Sequence, residues 1–183
     1  TLATQGPSLT TLPETTPAPT TPQPTTPAPT TPEQPKLLIV IDPGHGGHDA
    51  GTQTSWVREA DCTQLVATKL KEELNRRLPE VKVIFTREQN QYRSEQHRVD
   101  QINSAEAPVF VSLHLNSGRS DVRGIETYTA APAAPGEQPR PGNVHDTANA
   151  ALAYAVQTAL IKGTQAQDGG CRRARYSLLN SAN

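Results

Sequence analysis

Residues 37–51, LLIVIDPGHGGHDAG, constrain this chain more than any other stretch. Five consecutive apolar and mostly β-branched residues, Leu37 to Ile41, predict a strand buried on both faces. The run breaks at Asp42 and Pro43 into three glycines around His45. Glycine lets a backbone approach a ligand closely, and a neutral imidazole at the carboxyl end of a buried strand is suited to holding a metal.

Composition divides the chain. Residues 1–35 contain no Lys, Arg or aromatic residue and repeat as TTPAP, TTPQP, TTPAP and TTPEQP from Thr15. Proline fixes φ and removes backbone donors, so this arm is expected to be a disordered, extended Thr/Pro linker without a core. Spacers of this kind join extracytoplasmic modules, and the chain begins at Thr1, so a processed or truncated amino terminus and an attached module before residue 1 are expected. Residues 36–183 are then the folded domain.

That domain holds all 17 Lys and Arg; of the 18 acidic residues Glu14 and Glu33 lie in the arm, leaving 16. A near-neutral balance without a basic, aromatic-interleaved patch argues against a nucleic-acid binder. No apolar run reaches the roughly 18 residues of a membrane span, and no signal peptide is visible. Cys62 and Cys171 are too few for a disulfide framework; Cys62 falls on an apolar helical face and reads as core.

Along the chain, residues 58–78 predict a helix on which Cys62, Leu65, Val66, Leu70, Leu74 and Leu78 recur at helical spacing, ended by Pro79. Residues 81–86 predict a strand, 95–107 a more polar helix, and 108–113 a third apolar strand that ends on His114. A fourth strand is expected at 124–129 and a Pro/Ala/Gly-rich loop at 130–142. An alanine-rich helix over 147–162 would turn Leu152, Val156 and Leu160 inward, and residues 176–179 start to look extended. Strands alternating with helices imply an α/β fold, a three-layer αβα sandwich around a mostly parallel sheet. Its last strand looks missing.

His45 and His114 each follow a buried strand. If those strands are neighbours, both imidazoles face the crevice beyond the strand ends. Glu59, in the first turn of the next helix, offers a third ligand, and two imidazoles with one carboxylate leave the fourth position of a zinc ion open for hydrolysis. On spacing alone the alternatives stand: a histidine after a strand can be a satisfied loop residue, and Glu59 can simply favour a helix amino terminus.

IDPGHGGHDAG, Glu59, the pair Thr86 and Arg87, residues 98–103, VSLHLN around His114 and GIETY from Gly124 together resemble the zinc-dependent N-acetylmuramoyl-L-alanine amidases of bacterial cell walls. The resemblance covers residues 36 to about 179. It implies Zn2+ held by His45, Glu59 and His114, an extracytoplasmic location, and a peptidoglycan or muropeptide substrate. The bond hydrolysed would be the amide joining the lactyl group of N-acetylmuramic acid to the L-alanine of the stem peptide.

The resemblance also implies a carboxylate that relays the proton. Family members carry this glutamate on a further strand shortly after the region matching residues 176–179, and no residue here matches it. The chain is therefore expected to stop short of that strand, with Glu126 of GIETY as the nearest motif carboxylate. The alternative reading is a catalytically impaired, metal-containing peptidoglycan-binding module. Some relatives also carry a long regulatory helix after the GIETY-like strand, for which residues 130–146 leave little room.

Among other polar residues, Asp42 is expected to support His45 from the strand end, with Asn116 orienting the turn or touching substrate. His48 and Asp49 either line the cleft, bond a ligand histidine or are solvated. His97 and His145 read as surface residues, and Arg87 and Arg98 as structural.

Overall fold

The structure, a computed structural model, describes residues 37–118 and 123–182. The linker expectation for residues 1–35 lies outside them. The elements are β1 (Leu38–Pro43), α1 (Glu59–Arg77), β2 (Lys82–Phe85), α2 (Glu95–Ser104), β3 (Val109–Leu113), β4 (Ile125–Ala130), a single 3-10 turn (Pro141–Asn143), α3 (Asp146–Thr164), β5 (Asp168–Ala174) and α4 (Ser177–Ser181).

β1 is the middle strand of a parallel sheet ordered β2-β1-β3. Its alternation divides two cores. Val40 packs with Val99 and Ile102 of α2 and with Leu178 and Ala182 at α4. Ile41, next along the strand, packs on the other face with Ala67 of α1 and with Val81, Val83 and Phe85. The sheet therefore lies between helices, as the alternating pattern predicts. β4 and β5 pair in parallel as a second, two-stranded sheet.

The register of β1 and β3 matters most for function. Asp42 stands opposite Ser112 and Pro43 opposite Leu113, so the chain leaves both strands side by side, toward His45 and His114.

Three sequence expectations are corrected. The buried face of α1 runs through Ala60, Thr63 and Ala67, with Leu70 and Leu74 packed beside the core. Leu65 and Val66 are 61% and 51% exposed, and Cys62 is only partly covered. Small side chains let a helix approach a sheet closely, and that contact overrides the larger apolar residues on a neighbouring face.

On α3 the buried residues are Ala153 and Gln157, whereas Leu152 and Leu160 are exposed. The Gln157 amide accepts from Thr127 Oγ1 (2.7 Å) and donates to the Ile125 carbonyl (2.7 Å) and Asp168 Oδ1 (2.6 Å). A polar staple, rather than a leucine stripe, joins α3 to the second sheet.

The extended segment near the carboxyl end is β5, and Ser177–Ser181 is helical. Gly169, Gly170, Arg172 and Arg173 lack the apolar alternation of a core strand. β5 instead relies on its ladder with β4 and on ion pairs from Arg172 to Glu126 and from Arg173 to Asp146. Leu178 and Ala182, four residues apart, both join the core around Val40, one above the other at helical spacing.

Candidate metal centre

The loop after β1 is shaped by close contacts. His45 has φ 62°, a left-handed conformation uncommon for a residue with a side chain. A reciprocal pair of backbone hydrogen bonds between Gly46 and Asp49 closes the turn behind it (2.8 and 3.1 Å). A Cβ on Gly44 would lie 2.4 Å from the His114 ring, and one on Gly51 would lie 2.5 Å from the His45 ring and 2.7 Å from Glu59 Oε2. Glycine at these two positions leaves the space that the His114, His45 and Glu59 side chains occupy.

Glu59 is 2% exposed at the start of α1. Its Oε2 accepts the Thr52 N–H and its Oε1 the Leu115 N–H, both at 2.8 Å, so the carboxylate bridges the loop before α1 and the turn after β3. Burial pushes this carboxyl up. The two backbone donors together with His45 and His114 outweigh that effect and hold it below the usual carboxylate range.

His45 Nε2 and His114 Nδ1 each lie 3.0 Å from Glu59 Oε1 and 3.2 Å from one another. The edge of a tetrahedron of ligands around zinc at ordinary bond lengths is about 3.3 Å. The two nitrogens and one carboxylate oxygen therefore form a triangle of the size that zinc would fit, and their donor types suit it.

The opposite side of the His45 ring adds a second reason. Its Nδ1 lies 2.9 Å from Asp49 Oδ2, and Asp49 Oδ1 accepts the Gly51 N–H at 3.0 Å. A neutral ring that donates from Nδ1 to Asp49 turns the lone pair of Nε2 toward Glu59. That edge of the ring sits 3.0 Å from the Glu59 carboxylate, a contact made favourable either by a second ring proton or by a cation between the two groups. Burial raises the Asp49 carboxyl, but its bonds to His45 and Gly51 and the nearby Arg98 charge bring it below its ordinary value.

Asp42, expected to support His45, instead accepts from Thr86, Arg98 (2.6 Å) and Ser112 (2.7 Å). It lies in the strand, below the turn that redirects the chain, and Asp49 reaches the ring from the far side of that turn. Proximity in sequence favoured Asp42, and the turn reverses that order. His48 stacks on Tyr92, with ring centroids 4.1 Å apart. His97 and His145 are exposed.

Asn116 and Glu126 form one group, with Asn116 Nδ2 donating to Glu126 Oε2 at 3.1 Å. The Tyr128 hydroxyl donates to the same oxygen, and Arg172 pairs with Oε1 at 2.9 Å. Among the described residues Glu126 is thus held by three partners. The hydrogen bond to Glu126 raises the Tyr128 phenol to about 12, and burial adds to it.

A family model described as N-acetylmuramoyl-L-alanine amidase matches residues 39–183. The chain is 35% identical over 92 residues to the sporulation-specific N-acetylmuramoyl-L-alanine amidase of Bacillus subtilis, covering 50% of this chain and 35% of that relative. It is 34% identical over 105 residues to an endolysin of Bacillus phage SPP1, covering 55% and 38% respectively. The chain spans little more than a third of either relative.

Among solved structures, an N-acetylmuramoyl-L-alanine amidase from Clostridium difficile is similar with a TM-score of 0.68 at 28% identity, over 82% of this chain and 76% of that one. The amidase AmiC2 of Nostoc punctiforme gives a TM-score of 0.67 at 29% identity, over 81% and 74%.

Proposed function

Because this chain belongs to the N-acetylmuramoyl-L-alanine amidase family, we propose that it hydrolyses the amide between N-acetylmuramic acid and L-alanine in peptidoglycan, with zinc held by His45, Glu59 and His114. The observation that carries the metal reading is the triangle of His45 Nε2, Glu59 Oε1 and His114 Nδ1, whose edges are 3.0, 3.0 and 3.2 Å.

Each residue has a defined task in that reading. Glu59 supplies a carboxylate kept ionised by two N–H donors. Asp49 holds the His45 ring by Nδ1, which leaves Nε2 as the ligand atom. His114, with its side chain 48% exposed, marks the open side from which a substrate would enter. Bound there, zinc would polarise the scissile carbonyl and make a water more acidic. Asn116 lies two residues beyond His114, with Glu126 as its hydrogen-bond partner, and together they form a polar wall for the muropeptide.

The same reading takes residues 1–35 as a linker and 36–183 as the amidase domain, working outside the cytoplasm on the cell wall. Among the described residues no helix is long and apolar enough to cross a membrane. The test is incubation of the full chain with purified peptidoglycan, counting new alanine amino termini before and after chelation and zinc addition. Amino termini that appear, vanish with chelator and return with zinc support the reading. Their absence with zinc-loaded protein, or indifference to chelation, overturns it.

A further inference from the structure

We propose that Arg87 is a positioning residue that sets the separation of His45 from Glu59 before any metal binds; the inference rests on the metal reading above. Arg87 is 1% exposed and belongs to neither ligand-bearing segment, yet its guanidinium reaches both. Nε donates to the Pro43 carbonyl at 2.8 Å, and Nη2 donates to the Gly44 carbonyl at 3.1 Å, immediately before His45. The same Nη2 donates to the Ala60 carbonyl at 2.8 Å, immediately after Glu59.

Two further contacts make the arrangement specific. Thr63 Oγ1 lies 3.2 Å from Arg87 Nη2 and donates to the Gly44 carbonyl at 2.9 Å, closing a ring of hydrogen bonds between α1 and the loop. A Cβ on Gly46 would lie 2.9 Å from Arg87 Cδ, so the loop is also packed on the arginine's stem. The loop lies between Arg87 and the His114 ring, which occupies the space beside Gly44.

Among the described residues, the hydrogen-bond acceptors of Arg87 are carbonyls, the Gln64 amide and Thr63, with no carboxylate. Arg98 beside it pairs with Asp42. A guanidinium whose direct hydrogen-bond acceptors are all neutral is a costly choice for packing; burial together with Arg98 pushes its pKa down, and the charges of Asp42 and Asp61 offset only part of that. Its planar fork spans four main-chain carbonyls at once, those of Pro43, Gly44, Ala60 and Gln89, which a lysine ammonium on a flexible stem does not reproduce.

The experiment compares the full chain as wild type, Arg87→Lys and Thr63→Val, measuring zinc affinity by chelator competition, the visible spectrum with Co2+, and thermal unfolding. Ile102→Val, in the core on the other face of β1, serves as a control for lost stability. Arg87→Lys is expected to weaken zinc about 10-fold or more and to alter the Co2+ bands, as loss of a ligand's supporting partner does. Ile102→Val keeps native affinity and spectrum.

Native affinity and spectrum in Arg87→Lys, whatever its melting temperature, overturn the proposal and leave the metal site standing. If Arg87→Lys does not fold, Thr63→Val decides: weakened zinc at an unchanged melting temperature supports the positioning unit, and native affinity overturns it. A wild-type chain that takes up no stoichiometric zinc removes the metal reading and this inference together.

Discussion

His45 is gripped by Asp49, not Asp42: Nδ1 of the ring lies 2.9 Å from Asp49 Oδ2, on the side facing away from Glu59. The contact fixes both the ring plane and the nitrogen left for a metal. Asp49→Asn puts an amide there, whose N–H2 can donate to Nδ1 and reverse the tautomer. We expect zinc affinity to fall about 10–100-fold by chelator competition. Native affinity would show that the contact does not govern the ring.

For the ligand set, His45→Ala and His114→Ala should each abolish stoichiometric zinc, whereas His97→Ala, on an exposed part of α2, should retain it. Metal analysis after dialysis reads the result. Full zinc content in both ligand variants would overturn the assignment.

Gly44→Ala tests the close approach of the loop to the third ligand. The added methyl would lie 2.4–2.7 Å from three atoms of the His114 ring. The exposed imidazole can swing away, so the fold should survive while zinc binding weakens about 10-fold or more. Zinc titration beside a thermal melt separates the two effects, and unchanged affinity would show that His114 does not need this space.

The buried pair of Asp42 and Arg98 is expected to support the fold. Asp42 is 1% exposed and accepts from Thr86, Arg98 and Ser112. Removing one member of such a pair costs about 3–5 kcal/mol, so Asp42→Asn should lower unfolding stability by several kcal/mol in urea titrations. Lys69→Ala, which breaks an exposed pair with Glu72, should change it by less than about 1 kcal/mol. Equal effects would contradict the burial argument.

Tyr128 gives a pH dependence. Its phenol is raised to about 12 by the hydrogen bond to Glu126 and by burial. A raised folded value means that its contribution to stability is complete below about pH 10, the unfolded value, and is lost as pH climbs toward 12. Phenolate absorbance, with Tyr128→Phe as the reference, should show one late-titrating tyrosine that moves earlier in Glu126→Gln. A Tyr128 that titrates with the exposed tyrosines would refute the contact.

Much of the candidate site was legible locally. The apolar run of β1, the glycines around His45, Glu59 at a helix start and His114 after a strand each depend on a few neighbouring residues. Asp42 was the expected support of His45 and Asp49 is the one found, because the tight turn between Gly46 and Asp49 decides which carboxylate reaches the ring. The role of Arg87 was equally hidden, since the carbonyls it grips beside His45 and Glu59 lie on segments far away in sequence.

By itself the sequence determined the parallel α/β class and the order of the central elements, and it named His45, Glu59 and His114, which the fold brings together, because hydrophobic period and side-chain chemistry are local properties. Only the tertiary structure decided which helix faces are buried, that the segment after β5 is helical, and which groups hold His45 and Glu59 in place. Those outcomes depend on how closely one element approaches another. α1 turned its small residues toward the sheet, α3 was joined to β4 and β5 by Gln157, and Leu178 with Ala182 found a core across the molecule. Such contacts join residues that no local pattern relates.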